Sequence, residues 1–397
     1  MKLRVGGVSR WIAVAGVLAL VGAACSKDNN TTGGSGSGGP HPITSIGPGE
    51  GKLSLIIWDG YAEPDWVKPF EQQTGCQVTS TVKTSSDDMY SAMTTQAGQY
   101  DGVSASGDAT NRLIAAGAVA PIDAGLFPGF QEMMPALQSP PHNTVNGVHY
   151  GVPWVWGPNF LMYRTDMVQP APTSWNVVFD PNSPYKGKIT AYNSPIYLAD
   201  AALYLKVHDP TLSITNPYEL DQLQFDAAVN LMQSIRPNIR NFWGGVGQET
   251  GPFKSGDLVV GTAWPVNLQT LLAENVPASS VVPSEGVTGW ADTWMMSTEA
   301  PDPNCMLMWM NYTTTSKVQA QVAESYGATP SSRASCAILT KDLGASVTNE
   351  VYHCGDQTYL EAIALWRTPL PDCGDSRGST CVDYQEWTTK WTDITGG

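Results

Sequence analysis

The sequence predicts a two-lobed α/β protein with a ligand cleft between the lobes. Strand-like and helix-like segments alternate over residues 53–116, and the same alternation returns over residues 188–326. Residues 152–157 form an apolar segment between these two regions, and residues 290–296 would return the chain to the first lobe. Two α/β lobes joined in this way leave a cleft at the carboxyl ends of their strands, where such folds bind ligands.

Residues 1–24 have the features of an export signal. A basic start precedes an apolar run over residues 11–21, which is too short to span a bilayer comfortably, and small residues follow it. Cys25 comes directly after those small residues, an arrangement that resembles the lipobox of bacterial lipoproteins. Gly22 stands where lipoproteins prefer Leu, so the alternative is an ordinary secretory cleavage with an incidental cysteine.

Residues 25–51 are predicted to be a lipidated, flexible tether. They consist mostly of Ser, Asn, Thr, Gly and Pro, which cannot bury a core. We therefore expect an exported protein that is either periplasmic or anchored to the outer face of the cell membrane. The lipid would be its only contact with the membrane.

The charge of the chain excludes one class of partner. It has 21 Lys and Arg against 36 Asp and Glu, a net charge of −15 at pH 7, and it has no basic cluster. An acidic surface repels nucleic acid and attracts small cations, although acidity alone also serves solubility. The aromatic residues are 14 Trp and 15 Tyr against 8 Phe. Trp and Tyr combine a flat apolar face with a polar edge, which suits both cores and ligand sites.

The cysteines after Cys25 are even in number, which predicts disulfides in an oxidising compartment. The favoured pairing is Cys373–Cys381, Cys336–Cys354 and Cys76–Cys305, although sequence alone allows fifteen pairings. No pair has the C-x-x-C spacing of a zinc site, and no metal is expected.

The predicted elements of the first region begin with a buried strand and end with a helix. Strands are expected at residues 53–58, 76–82 and 100–105, and helices at 63–74, 85–93 and 109–116. This alternation predicts a parallel sheet that is covered on both faces.

The second region repeats the pattern. Strands are expected at residues 188–191 and 258–264, and helices at 221–235, 268–274, 304–312 and 316–326. Four tryptophans on apolar faces are assigned to packing: Trp66, Trp175, Trp309 and Trp366.

Several short segments, taken in order, resemble the spermidine/putrescine-binding group of the solute-binding proteins of ABC importers. They are residues 58–61 and 70–75, 100–106, 152–157, 186–189, Trp264, 289–292 and 321–324. The resemblance extends over most of residues 53–330. It rests on the order and spacing of these segments taken together.

This resemblance implies a periplasmic-binding-protein fold, of the Venus-flytrap kind and type II-like. The first lobe would comprise residues 52–156 and 293–340, and the second residues 157–292 and 341–397. It also implies a monomer without a cofactor or an enzymatic activity, which delivers a small cationic solute to a membrane permease.

The resemblance also assigns residues to the cleft. An aromatic pair falls on Trp58 and Tyr61, and the central carboxylate that binds the amine falls on Asp292. The other candidates are Asp59, Ser106, Asp108, Trp156, Trp264 and Trp290. Aromatic faces attract an ammonium by about 0.5–2 kcal/mol each, and a buried cation needs at least one acid. For Asp59 and Asp108 the alternative to ligand binding is a structural role, in a turn or as a helix cap. For Trp156 the alternative is packing at the hinge between the lobes.

One departure from the family affects the expected ligand. Where the family has two acids, this chain has Ser194 and Tyr197. In one interpretation the ligand is shorter or singly cationic and is held by Asp292 with Asp108 or Asp59. In the other it is not a polyamine, and Ser194 and Tyr197 meet a neutral or anionic end.

Other functions stay open at the level of sequence. The same fold would bind an amino acid derivative, another amine or iron, or would act as a ligand sensor. A secreted hydrolase is disfavoured, because the chain has neither a Gly-x-Ser-x-Gly nor a His-Glu-x-x-His motif and its five His make no ligand-spaced set.

Overall fold

The computed structural model describes residues 42–396. The predicted signal and Cys25 lie outside this range. In chain order the strands are β1 (Lys52–Ile57), β2 (Gln77–Val82), β3 (Gly102–Ala105), β4 (Thr144–Val145), β5 (Val148–His149), β6 (Val152–Pro158), β7 (Phe160–Arg164), β8 (Ile189–Tyr192), β9 (Ile239–Trp243), β10 (Val260–Ala263), β11 (Ala278–Val281), β12 (Thr288–Met296), β13 (Thr329–Pro330) and β14 (Ala364–Leu365).

The helices lie between the strands and after the last of them. They are α1 (Pro64–Thr74), α2 (Ser86–Thr95), α3 (Gly107–Ala115), α4 (Pro135–Gln138), α5 (Asn176–Phe179), α6 (Leu198–His208), α7 (Gln222–Ile235), α8 (Val246–Ser255), α9 (Pro265–Ala273), α10 (Pro303–Thr313), α11 (Ser316–Tyr326), α12 (Ser335–Leu343), α13 (Gln357–Ala362) and α14 (Tyr384–Thr395). Short 3-10 or π turns occupy Ala124–Leu126, Pro128–Glu132, Pro195–Tyr197, Pro210–Leu212, Arg236–Asn238 and Val347–Val351.

Local sequence signals explain where the first helices begin and end. Pro64 starts α1, and Gly75 ends it in the left-handed conformation with φ of 77°. The Ser85 side chain accepts a hydrogen bond from the Asp88 N–H and so caps α2. The predicted alternation of strands and helices is confirmed in this region.

The larger sheet has the strand order β13-β6-β12-β3-β1-β2, and β14 pairs with β12. Strands β1, β2 and β3 are parallel, as the alternation predicts. The prediction of a fully parallel sheet is wrong, because β12 runs antiparallel to both β3 and β6. β12 is the strand on which the chain returns from the second sheet, so it enters the larger sheet from the opposite end.

The smaller sheet has the strand order β11-β7-β10-β8-β9. Strands β8, β9 and β10 are parallel, whereas β7 runs antiparallel to β10 and β11. Strands β4 and β5 pair as a separate two-stranded sheet, so the described residues form a mixed α/β fold with two main sheets.

The chain crosses between the sheets at β6–β7 and again before β12. Asn159 is the residue between β6 and β7, and its side-chain N–H donates to the Thr288 hydroxyl oxygen (2.8 Å). The predicted lobe boundary at 156/157 falls inside β6, and that at 292/293 falls inside β12. The assignment of residues to lobes stays a prediction.

Three disulfides connect distant and local segments of the described chain. They are Cys76–Cys305, Cys336–Cys354 and Cys373–Cys381, the pairing that the sequence favours. The first joins residues 229 positions apart and fixes the start of β2 to α10.

The end of the predicted tether lies against the folded body. Ile43 forms an isolated bridge with Ile122, and the Gly47 N–H donates to the Asn304 side-chain oxygen (2.6 Å). The Glu50 carboxylate accepts a hydrogen bond from the Cys305 N–H (2.9 Å). Residues 42–51 therefore do not form the free coil that their composition predicts, because Ile43, Gly47 and Glu50 contact the folded body.

Within residues 42–396, none of the helices combines the length and the apolar character that crossing a bilayer requires.

Candidate functional site

Asp292 is the central residue of the candidate site. It lies in β12, where the register with β6 shifts between Ala291 and Thr293. Such an irregularity changes the direction in which a side chain points, and irregularities of this kind are frequent next to functional sites. Only 3% of the residue is exposed. The sequence therefore places one carboxylate inside the molecule at a break in the sheet.

Two hydroxyl groups hold this carboxylate. The Tyr61 hydroxyl donates to Oδ2 and the Ser106 hydroxyl donates to Oδ1, each at 2.5 Å. Tyr61 follows β1 and Ser106 follows β3, so both come from the carboxyl ends of parallel strands. Both carboxylate oxygens are thus satisfied, and the orientation of Asp292 is fixed before any ligand binds.

Aromatic rings complete the walls of the cavity that Asp292 faces. The cavity is small, with a volume of about 10 Å³. It is lined by Trp58, Tyr61, Ser106, Trp264, Trp290, Asp292, Tyr326 and Trp366. We call these eight residues the aromatic cage.

Both sheets contribute to the aromatic cage. Trp58 follows β1 of the larger sheet and Trp264 follows β10 of the smaller one, and their rings meet edge to face at 6.1 Å. Tyr326 ends α11 and packs edge to face on Tyr61 at 5.2 Å. A ligand in this cavity would therefore contact both parts of the fold.

Burial changes the acidity of the groups in the cage. Desolvation raises the pKa of Asp292 to about 7, although the hydrogen bonds from Ser106 and Tyr61 lower it, and the charge of Asp108 raises it further. Burial also raises the pKa of the Tyr61 phenol, and the Asp292 charge adds to this effect. Asp292 is therefore an acid whose ionised form needs a partner in order to be stable.

The chemistry of this lining suits an organic cation. A buried carboxylate offers charge-assisted hydrogen bonds, which are roughly twice as strong as neutral ones. The surrounding indole and phenol faces attract positive charge, at about 0.5–2 kcal/mol for each well-placed ring.

Comparison with known proteins gives the family. The family model for bacterial extracellular solute-binding proteins matches residues 65–347. The chain belongs to this family. The resemblance that the sequence motifs carry is thereby confirmed, and the chain is an exported solute-binding protein.

Two relatives and one solved structure illustrate the similarity. The spermidine/putrescine-binding periplasmic protein of Escherichia coli (strain K12) is 26% identical over 322 residues, covering 80% of this chain and 83% of the relative. The putrescine-binding periplasmic protein SpuD of Pseudomonas aeruginosa (strain UCBPP-PA14) is 23% identical over 287 residues, covering 68% of this chain and 76% of the relative.

The solved structure is a spermidine/putrescine ABC transporter substrate-binding protein from Streptococcus pneumoniae. It superposes with a TM-score of 0.66 at 19% identity, covering 86% of this chain and 97% of that one. At this identity the likeness shows the fold alone. The predicted two-lobed periplasmic-binding-protein fold is confirmed.

The structure brings together six of the residues that the sequence nominates. They are Trp58, Tyr61, Ser106, Trp264, Trp290 and Asp292, and all of them line the same cavity. Their position in this solute-binding protein is thus a structural fact, whereas their contact with a ligand stays a prediction.

Three other nominated residues lie away from the cavity lining. Asp59 is exposed, since it sits in the turn before α1. Trp156 is fully buried in β6 and packs on Tyr359, so that it belongs to the hydrophobic core. Asp108 is fully buried in the first turn of α3, and its Oδ1 accepts a hydrogen bond from the Ser86 hydroxyl.

Ser194 and Tyr197 also lie outside the lining. The Ser194 side chain accepts a hydrogen bond from the Ile196 N–H and so caps the turn that follows β8. The Tyr197 hydroxyl bonds the Thr262 hydroxyl (3.0 Å), and its ring stacks on Phe179 at 6.0 Å. Both side chains therefore make their hydrogen bonds next to the smaller sheet and outside the cavity.

Two residues of the cage were missed by the sequence analysis. Tyr326 stands at the end of α11 without any pattern that separates it from a packing residue. The sequence predicts a packing role for Trp366, and this prediction is incomplete because Trp366 also lines the cavity. It follows β14, in a tail segment that does not align with the family motifs.

The described residues contain no group of three or more His, Cys, Asp or Glu side chains that could hold a metal ion.

Proposed function

We propose that this chain is the solute-binding component of an ABC importer and that its ligand is a small organic amine of the polyamine class. The observation that carries the proposal is the buried Asp292 carboxylate, oriented by Tyr61 and Ser106 and enclosed by tryptophans. An ammonium group placed there would gain a charge-assisted hydrogen bond and several aromatic contacts.

The names of the relatives support the same ligand class. The Escherichia coli relative is described as binding spermidine and putrescine, and the Pseudomonas aeruginosa relative as binding putrescine. In this proposal the chain acts as a monomer and delivers the amine to a membrane permease. A lipid on Cys25 would keep it near that permease.

A ligand panel tests the proposal. Isothermal titration of the purified protein with putrescine, spermidine, neutral amino acids and ferric iron should give saturable heat with the amines. Asp292→Asn should abolish this binding, since the change removes the charge and keeps the size of the side chain.

Asp59→Asn is the matched control. It makes the same chemical change on an exposed acid one residue from Trp58, and amine affinity should not change. Binding of an amino acid or iron without any binding of amines would refute the proposed ligand class. Amine binding that survives Asp292→Asn would refute the proposed site.

A further inference from the structure

The aromatic cage admits a solute only when the two sheets move apart. Its volume of about 10 Å³ is the space of about one water molecule. The rings of Trp58 and Trp264, which come from different sheets, meet at 6.1 Å across it. A contact that joins the two sheets outside the cage therefore opposes the opening through which a solute must pass.

Arg112 makes a contact of this kind. It lies in α3, which packs against α2 and β12 on the side of the larger sheet. Its guanidinium bonds the Asp87 carboxylate (2.5 Å). The same guanidinium lies between two phenol rings, at 4.1 Å from the centroid of Tyr90 and 4.3 Å from that of Tyr384. Asp87 and Tyr90 belong to α2, whereas Tyr384 is the first residue of α14.

Helix α14 is fixed to the side of the smaller sheet. The Trp391 indole N–H donates to Oδ1 of Asn193, the residue after β8 (3.0 Å). Trp387 packs on Phe225 of α7, with ring centroids 5.5 Å apart. The contact of Arg112 with Tyr384 therefore joins the two sides of the fold, whereas its contact with Tyr90 stays within one side.

This contact spans an open groove between α14 and the helices of the larger sheet. The groove has a volume of about 630 Å³ and is lined by Tyr90, Arg112, Tyr384, Gln385, Thr388, Thr389, Thr392 and Asp393. The Arg112 side chain is 18% exposed, so solvent reaches the guanidinium. A solvated contact at the edge of a groove can break and form again without disrupting a core.

Both partners of the contact are connected with the cage along the chain. Helix α3 begins directly after Ser106, whose hydroxyl holds the central carboxylate of the cage. The tail segment that leads to α14 contributes Trp366 to the cage wall. The Tyr384 N–H donates to the Pro369 carbonyl oxygen (3.1 Å), so the start of α14 lies beside the segment that follows Trp366.

We propose that Arg112 and Tyr384 form a latch, which holds the two sheets together when no solute is bound and so limits how often the cage opens. Tyr90 and Asp87 orient the guanidinium, and opening breaks only the contact with Tyr384. The inference goes beyond the proposed function, because the latch acts on the ligand-free protein whichever solute the cage takes.

Single-molecule fluorescence energy transfer on the ligand-free protein tests the latch. Dyes at Gln73 in α1 and Gln233 in α7, two exposed positions on different sides of the fold, report the distance between those sides. Attachment through non-natural amino acids keeps the disulfides intact. Tyr384→Leu should lower the ratio of closed to open molecules by about 2-fold to 30-fold, the range expected for one cation–π contact.

Tyr90→Leu is the matched control. It removes a ring at nearly the same distance from the same guanidinium, but within one side of the fold, and it should keep the wild-type ratio. Arg112→Gln should lower the ratio as Tyr384→Leu does. The double variant should lower it no further, because each single change breaks the same contact. Arg112→Gln is also the test if Tyr384→Leu does not fold.

Stopped-flow mixing with putrescine gives a second readout. The solute enters and leaves through the open form, whereas the latch stabilises the closed form with or without solute. Tyr384→Leu should therefore raise both the association and the dissociation rate constants, and the dissociation constant should change less than either. A variant that only damages the cage would weaken binding without faster association.

The outcomes separate the latch from the proposed function. An unchanged ratio in Tyr384→Leu and Arg112→Gln, an equal fall in Tyr90→Leu, or a ligand-free wild type without closed molecules would each overturn the latch. All of these results leave amine binding at Asp292 untouched. Failure of the wild type to bind putrescine or any other amine would refute the proposed ligand class, and the fluorescence measurement would still decide on the latch.

Discussion

Asp292 combines two properties that oppose each other. Burial in the aromatic cage favours its neutral form, whereas the hydroxyls of Tyr61 and Ser106 favour the carboxylate. The result is a pKa of about 7, which makes the protonation state of a single residue decisive near neutral pH. An amine binds the carboxylate and not the acid, so proton and ligand compete for this residue.

Amine affinity should therefore fall as the pH is lowered below about 7. Once Asp292 is protonated in the free protein, each further pH unit should weaken binding by up to about tenfold, since the ligand must displace a proton. Titrations between pH 8 and pH 5.5 measure this change in affinity. At the acidic end, binding should release a proton, so that the measured binding enthalpy depends on the ionisation enthalpy of the buffer. An affinity that is constant over this range would contradict the assignment.

Tyr61→Phe tests the cause of this pH dependence. The variant removes a hydrogen bond that lowers the pKa of Asp292, so the midpoint of the pH dependence should move upward. Ser85→Ala is the control, because it removes a hydroxyl that caps α2 and does not contact the cage. A midpoint that moves downward in Tyr61→Phe would contradict the role of this bond.

At the level of residues, the sequence locates one part of the cavity better than the other. Trp58 and Trp264 end predicted strands, and Asp292 lies on a predicted crossing, so sheet topology alone brings them together. Tyr326 and Trp366 come from a helix end and from the tail. Their positions depend on how those segments pack over the cleft, which no local pattern encodes.

At the level of elements, the strand and helix pattern is largely readable from sequence, whereas strand direction is not. Capping residues and apolar runs specify α1, α2 and β1 locally. The antiparallel placement of β12 follows from the return of the chain from the second sheet, which is a long-range property. The contacts of residues 42–51 with the folded body are also a long-range property, which the local sequence does not encode.

The Cys76–Cys305 disulfide should stabilise the fold more than Cys373–Cys381 does. It closes a separation of 229 residues against 8 for the local one, and a cross-link that closes a longer loop removes more entropy from the unfolded chain. Replacing both Cys76 and Cys305 by Ser should lower the free energy of unfolding by about 2–5 kcal/mol in urea titrations.

The matched variant replaces Cys373 and Cys381 by Ser, and its loss should be smaller. Under conditions in which both double variants are folded, each should bind amines with the affinity of the wild type, because neither disulfide lines the aromatic cage. A larger loss of stability from the local pair would show that strain or native contacts outweigh loop closure in this protein.

At the scale of the whole molecule, the two crossings meet at a buried polar chain. The Asn159 side chain donates to the Thr288 hydroxyl oxygen, and the Thr288 hydroxyl donates to Asp200 Oδ1 (2.9 Å). Burial raises the pKa of Asp200 to about 8, although the bond from Thr288 lowers it. Below that pH the native protein therefore keeps a proton on Asp200 that the unfolded chain releases near pH 4.

This difference gives the last prediction. Because the pKa of Asp200 is higher in the folded state, its contribution to stability is complete below about pH 4 and is lost as the pH rises towards 8. Asp200→Asn keeps an acceptor for Thr288 and has no proton to lose. Relative to the wild type, the variant should gain stability between pH 5 and pH 8, by up to about 1.4 kcal/mol per pH unit.

Urea titrations of both proteins at pH 5, 6.5 and 8 measure this gain. Asp342→Asn, which makes the same chemical change on an exposed acid, is the matched control. If the gap between Asp200→Asn and the wild type were constant across the three pH values, Asp200 would be ionised in the folded protein. The crossings between the sheets would then carry a buried negative charge, and the neutral hydrogen-bonded chain of Asn159, Thr288 and Asp200 would be the wrong description of them.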